Sequence, residues 1–235
     1  MIVSLWSGPR NCSTALMYSM AQRSDVRVVD EPLFAHFLKL TGAKRPSREE
    51  VLASMPSDFV EIASGWTDSV EKHIFLKHMG NHLEGTDPAA FSNHFHVFLV
   101  RDPGKVLSSY RQHIERPTRL DLCYDHQMQW LQHCRQNEMP YAIIDSDKLV
   151  SNPRGQLILL CDRLGWDFDE SMMRWKPGPR PEDGPWAKYW YHRVHQSSGW
   201  EPVEPKAINP QLPEELEALR IEITPIFETL RSYAL

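Results

Sequence analysis

The sequence predicts an α/β domain with a central, mainly parallel five-stranded sheet flanked by helices. Short apolar, β-branched runs recur at residues 2–6, 26–29, 74–76, 96–100 and 141–144. Helical patterns separate them, the alternation that a parallel sheet with crossover helices requires. Several runs close on charged or turn-forming residues, as expected where ligands bind at the carboxyl edge of an open sheet.

The first run leads into the stretch that organises the rest, residues 2–18, IVSLWSGPRNCSTALMY. It reads as a strand, a tight turn over residues 7–13, and a helix opening at Ser13 or Thr14. Such a turn points several backbone N–H groups at one spot, at the positive end of the following helix. Arg10 adds a full charge and Ser13 and Thr14 add hydroxyls, which makes a cradle for a phosphate-like dianion. An ordinary strand–turn–helix start capped by Ser13 gives the same pattern with no ligand. The stretch lacks G-x-x-x-x-G-K-[ST], so the lysine and the magnesium-holding hydroxyl of a Walker A loop are not in their usual places.

The second run ends in Asp30-Glu31-Pro32, which puts Glu31 at the carboxyl edge of a strand. A carboxylate there is a candidate general base, or it simply pairs with a cation. Residues 33–40 read as a short helix, and Ser47 with Glu50 reads as a capping box opening a helix to about residue 55. Residues 59–70 are helical around Gly65, with Trp66 packed or lining a cavity. The third run closes on Lys77-His78-Met79-Gly80, and Asp87-Pro88 starts a short helix.

The fourth run, HVFLV, passes straight into Arg101-Asp102-Pro103. Asp102 suits an N-cap and Pro103 the first helical position. Ser109 lies almost two turns beyond Asp102, a rise of roughly 10 Å, on the same helix face. Arg101 and Ser109 can therefore meet on one phosphate. The plain alternative is a surface arginine and a solvated serine.

Residues 122–137 read as a long amphipathic helix and 153–164 as another, ended by Gly165. From residue 175 to 185 the chain is WKPGPRPEDGP, where no regular core element fits, and a loop of that length is usually functional. Trp186, Lys188, Tyr189, Trp190, Tyr191, His192 and Arg193 follow. That cluster suits stacking on a purine and gripping its phosphate, or the packing of a C-terminal subdomain. Pro213 opens a last helix with an apolar stripe from Leu216 to Leu230.

The chain of 235 residues is 41 % hydrophobic, enough for one well-buried core. A net charge of -5 argues against a general nucleic-acid or membrane-surface binder while leaving room for a local basic pocket. No apolar run approaches the ~18 residues of a spanning helix, and the N-terminal run is too short for a secretory signal. The 4 cysteines form no C-x-x-C pair, so a reducing, cytoplasmic setting is expected. Pairs among the 11 histidines lack an HExxH pattern or an acidic companion, and a metal site is not expected.

Three stretches together resemble the sulfotransferase family. SGPRNCSTAL, residues 7–16, is similar to the family's 5′-phosphosulfate loop. FLVRDPGKVLSSY, residues 98–110, is similar to its 3′-phosphate motif, an arginine closing a strand and a serine eight residues on. IDSDKLVSNPRGQLILLCDRLGWDFDE, residues 144–170, resembles the downstream element that leads through a proline into a helix ended by Leu-Gly.

The resemblance implies a P-loop NTPase-like three-layer sandwich and one sulfotransferase-like domain over residues 1–235. It implies sulfuryl transfer from 3′-phosphoadenosine 5′-phosphosulfate, with no metal, to a hydroxyl or amine of a small-molecule or glycan acceptor. The product is 3′,5′-adenosine bisphosphate. By the same resemblance Arg10, Asn11, Cys12, Ser13 and Thr14 hold the 5′-phosphosulfate. Arg101 and Ser109 hold the 3′-phosphate, and the segment near Gly184, Trp186 and Lys188 closes over the nucleotide. Relatives place a histidine base after a Lys-Thr pair; here Met79 takes that position and His78 falls one place early. Other branches use a carboxylate after the second strand, so Glu31 is the preferred base and His78 the second. Lys77 is a further charge stabiliser. Trp66, the region from His78 to His82 and the tryptophans at 186 and 190 are expected to line the acceptor pocket. A P-loop kinase, or a nucleotide-binding module that has lost turnover, are the rival readings.

Overall fold

The computed structural model describes residues 1–66, 73–201 and 211–235. The part of the 59–70 stretch beyond Trp66 lies outside the described residues. Strands β1 (Ile2–Ser7), β2 (Val26–Asp30), β3 (His73–Met79), β4 (His94–Val100) and β5 (Tyr141–Asp145) form one sheet, all parallel, in the order β2-β3-β1-β4-β5.

Between β1 and β2 runs helix α1 (Ser13–Met20). Helices α2 (Phe34–Thr41), α3 (Arg48–Ser54) and α4 (Phe59–Ser64) connect β2 to β3. After β4 come α5 (Pro103–Tyr110), α6 (Arg119–Leu122) and α7 (Tyr124–Gln136). Beyond β5 lie α8 (Ser146–Ser151), α9 (Pro153–Leu164), α10 (Ala187–Trp190), α11 (His192–Gln196) and α12 (Glu214–Arg231).

Side-chain alternation along each strand divides the core between the two sheet faces. On one face Val3, Leu5 and Phe75 meet Leu16 and Met17 of α1 and Leu157, Leu160 and Leu164 of α9. On the other, Trp6, Leu76 and Phe98 meet Val106 of α5, Leu131 of α7 and Phe227 and Leu230 of α12. A smaller cluster joins Phe34, Phe37 and Leu38 of α2 with Val51, Trp186 and Tyr191.

Register positions the site. Ser7 at the end of β1 lies opposite Met79 of β3 and Leu99 of β4. The segments that follow these strands therefore emerge side by side at one edge, on either side of the central strand where the connections diverge.

Two local expectations are corrected. Ser47 precedes α3, but its side chain makes no cap and instead donates to the Pro185 carbonyl at 3.0 Å. Glu50 turns outward to accept from Lys188 Nζ at 2.6 Å. Both intended capping groups thus have stronger partners in the 185–188 segment. A capping box does form at Thr118 and Asp121, opening α6. The helix expected over 122–137 is broken at Cys123, whose left-handed φ of 66° ends α6 and starts α7.

Candidate active site

The β1–α1 turn takes its shape from two left-handed residues, Arg10 (φ 62°) and Cys12 (φ 63°), on either side of Asn11. Such alternation turns successive N–H groups towards a common point. Among the described residues, no backbone N–H from Arg10 to Ala15 donates to a protein acceptor; the first that does is Leu16, to the Cys12 carbonyl at 3.1 Å. Unpaired donors at a helix start form a ready anion site.

Three neighbouring chain ends hold this turn in place. Buried Asn11 donates through Nδ2 to the Leu99 carbonyl at 2.8 Å. Ser146, just past β5, donates to the Asn11 carbonyl at 2.8 Å. Arg101 donates to the Arg10 carbonyl at 2.6 Å. Gly8 is required at the turn's start, because a Cβ there would stand 2.6 Å from the Leu122 carbonyl oxygen.

The Arg10 side chain reaches the neighbouring motif. Its Nε donates to Ser109 Oγ at 2.9 Å, so the two stretches expected at opposite ends of a nucleotide share one contact. Arg193 of α11 joins them: burial, then Arg193, then Arg101 push the Arg10 guanidinium below its usual range, against a pull from Cys12. Among the described residues Arg10 and Arg193 have no carboxylate partner, and the nearest to Arg101 is Asp147 at 3.7 Å. Positive charge therefore exceeds its protein counter-charge here, an arrangement that suits an anion.

A second polar group lies at the ends of β2 and β3. Lys77 Nζ donates to Asp30 Oδ1 at 2.8 Å, Glu31 Oε1 at 2.6 Å and the Tyr191 hydroxyl at 2.8 Å. Burial alone would lower Lys77, but Asp30 and Glu31 outweigh it and hold the ammonium charged. Burial raises Glu31, Lys77 pulls it back, and Asp30 raises it further. Glu31 also sits at φ 42°, a strained conformation for a residue with a side chain. Its backbone N–H is held by the Lys77 carbonyl at 2.8 Å.

These groups open into one cavity of about 450 Å³, within the usual range for small-ligand sites. Arg10, Asn11, Cys12, Ser13, Thr14, Arg101 and Ser109 line it at one end, and Glu31, Lys77, Met79 and Trp186 further along. A family model described as a sulfotransferase domain matches residues 1–234.

This chain belongs to the sulfotransferase family. Two curated relatives from Arabidopsis thaliana are similar to it. Branched-chain-amino-acid aminotransferase-like protein 1 is 37% identical over 235 residues, 99% of this chain and 42% of the relative. Branched-chain-amino-acid aminotransferase-like protein 2 is 38% identical over 202 residues, 85% of this chain and 36% of the relative. The chain thus spans less than half the length of the curated relatives it matches. Among solved structures, the sulfotransferase domain of the Synechococcus PCC 7002 olefin synthase superposes with a TM-score of 0.67 at 20% identity, covering 97% of this chain and 94% of that one. Mouse sulfotransferase SULT7A1 complexed with PAP superposes with a TM-score of 0.50 at 14% identity, covering 100% of this chain and 89% of that one. At these identities the likeness shows the fold, the P-loop NTPase-like sandwich of this family.

Within this domain, three sequence candidates fall outside the cavity. His78 points to the opposite sheet face from Lys77, as adjacent strand residues must. It is fully buried, its ring stacks on Trp6 with centroids 4.4 Å apart, and neither ring nitrogen has a partner among the described residues. Burial, and then His82 and His94, press its pKa well below the usual value. It is a core residue. Lys188 pairs with Glu50 at 2.6 Å on the surface. Trp66 likewise packs in the core against Phe91, centroids 5.3 Å apart, and does not line the cavity.

Tyr191, from the aromatic cluster that follows Trp186, joins Lys77, Asp30 and Trp186 through its hydroxyl. Other cavity residues carried no sequence signal of their own. Arg45, Asn81, Tyr110 and Asp121 come from loops and helices far apart in the chain. Only the fold brings them to one wall. His82, inside a region expected to contribute, lies against Phe34 with ring centroids 4.9 Å apart.

Proposed function

We propose that the chain transfers a sulfuryl group from 3′-phosphoadenosine 5′-phosphosulfate to a hydroxyl or amine of a small-molecule or glycan acceptor, with residues 1–235 acting as one catalytic domain. The observation that carries this reading is the convergence of the Arg10 turn with Arg101 and Ser109 on one cavity that also holds a buried carboxylate. The residues fit the donor: unpaired N–H groups and under-compensated guanidinium groups match a ligand with phosphate at both ends. The N–H groups of residues 10–15, with Ser13 and Thr14, would hold the 5′-phosphosulfate; Arg101, Ser109 and Arg193 would hold the 3′-phosphate. Arg10, from the first group, reaches the second. Trp186 and Glu31 line the same cavity.

In the transfer, Glu31 takes the proton of the acceptor group. The acceptor atom bonds to sulfur as the sulfur–oxygen bond to the 5′-phosphate breaks, and the electron pair leaves on that oxygen. Arg10 and the loop N–H groups receive the charge that grows there, and Lys77 adds a fixed positive charge beside the base. The four cysteines are all free thiols, and we place the protein in the cytoplasm. Among the described residues no helix is long and apolar enough to cross a membrane.

A second reading, a nucleotide-binding module without turnover, draws on Met79, which lines the cavity where relatives carry a histidine base. An acceptor screen with sulfur-labelled donor separates the two. Labelled product and stoichiometric release of 3′,5′-adenosine bisphosphate support the transferase. Binding of the bisphosphate with no transfer to any acceptor class supports the module.

A further inference from the structure

The same cavity is also lined by the aromatic rings of Phe34, Phe37, Tyr110 and Trp190 and by the guanidinium of Arg45. Burial and then Asp121 raise the Tyr110 hydroxyl, with Arg45 opposing and Glu31 adding, so these charges surround one ring.

Counting donors and acceptors around that ring gives an asymmetry. Asp121 is only 8% exposed and engaged on both oxygens: one takes Arg45, the other takes the Thr118 N–H at 2.9 Å and hydroxyl at 2.7 Å. Asp30 is engaged by Lys77 and Tyr191. Glu31 gives one oxygen to Lys77, and the other is the one that takes the acceptor's proton. Arg45, by contrast, bonds Asp121 through one terminal nitrogen only. Among the described residues its Nε and second terminal nitrogen donate to no protein group, and the side chain keeps 23% of its surface exposed. The spare capacity at Arg45 is thus that of a fixed, charged donor. A guanidinium with donors to spare matches a carboxylate.

We infer that the acceptor is a hydroxylated carboxylic acid with a flat, apolar body. Its carboxylate sits on Arg45, its ring lies between the aromatic walls, and its hydroxyl reaches Glu31. The inference rests on the transferase reading and adds the acceptor's class to it. Asp121 is then a positioning residue, holding the Arg45 fork in place.

The test is a calorimetric titration of protein saturated with 3′,5′-adenosine bisphosphate. The ligands are para-hydroxyphenylacetate and its neutral counterpart, tyrosol. The acid is expected to bind about tenfold more tightly or better, the effect of one charge-assisted contact. Arg45→Gln is expected to abolish that preference while leaving bisphosphate affinity unchanged, which a merely structural role would not do. Tyrosol binding as tightly as the acid, or neither ligand binding, overturns the inference on the wild-type protein alone. An Arg45→Gln protein that weakens both ligands equally also overturns it. Failure of the bisphosphate itself to bind removes the transferase reading, and this inference with it.

Discussion

Arg10 and Ser109 stand 99 positions apart in the chain, yet Arg10 Nε donates to Ser109 Oγ at 2.9 Å. The contact joins the turn after β1 to the helix after β4, two segments brought together because those strands are neighbours ending at the same level. In the proposed reaction, removing the guanidinium takes away a charge that stabilises the transition state. Arg10→Ala is expected to lower turnover about a hundredfold, ~3 kcal/mol, with an unchanged fold. Ser109→Ala is expected to cost less, and the double variant less than the sum of the singles, read by a kinetic double-mutant cycle.

Glu31 and Asp30 make an acid–base prediction with a definite sign. As the proposed base, Glu31 must be ionised to take a proton, so kcat/KM is expected to fall as pH drops through its pKa, which is raised above the usual carboxylate range. Asp30 contributes to that elevation. Asp30→Asn removes the charge while retaining an oxygen that accepts from Lys77, and the acidic limb is expected to move to lower pH. Glu31→Gln is expected to remove the limb with nearly all of kcat while bisphosphate affinity stays. A pH–rate profile of the three proteins reads both effects. An acidic limb unchanged in Asp30→Asn would be evidence against Glu31 as the base.

Gly8 tests the cradle from outside its charged groups. A methyl group at this position meets the Leu122 carbonyl oxygen at 2.6 Å, backbone that has little room to yield. Gly8→Ala is expected to displace the turn and weaken bisphosphate binding by tenfold or more, with most of the far-ultraviolet circular dichroism retained. Unaltered affinity would show that the turn's exact path is irrelevant.

The buried histidines predict steep acid sensitivity. Burial lowers His94 to about 4 and His96 to about 3, the latter with help from His94, and presses His78 well below its usual value. The folded pKa is depressed below the unfolded value of ~6.5. The unfolded chain therefore binds more protons between those limits, and stability is full above ~6.5 and lost as pH falls towards 4. Each such histidine adds a slope of about 1.4 kcal/mol per pH unit. His78→Phe preserves the stacked ring on Trp6 and is expected to flatten the slope between pH 7 and 5, with transferase activity retained. Urea denaturation at both pH values measures it; loss of activity with a normal slope would restore His78 as a chemical group.

Much of this architecture was legible in the residues. The five strands, the turn at Arg10 and the N-cap at Asp102, which accepts from the Lys105 N–H at 3.0 Å, are local patterns, and local patterns are what periodicity and capping chemistry report. The Ser47 and Glu50 signature failed because two long-range partners, Pro185 and Lys188, outcompeted the helix end. His78 misled for a similar reason: a one-residue offset in a strand sends a side chain to the other face. Arg45 was invisible as a site residue, since its role depends on crossovers that no short window contains.

The central claim is that the segments near residues 10 and 101 grip both phosphates of one adenylate. Calorimetric titration without magnesium tests it most directly, comparing 3′,5′-adenosine bisphosphate with 5′-adenosine monophosphate in the wild-type, Arg10→Ala and Arg101→Ala proteins. The bisphosphate is expected to bind in the micromolar range and at least about tenfold more tightly than the monophosphate, with Arg101→Ala erasing that margin. Equal affinity for the two nucleotides in the wild-type protein, or a requirement for magnesium, would contradict it.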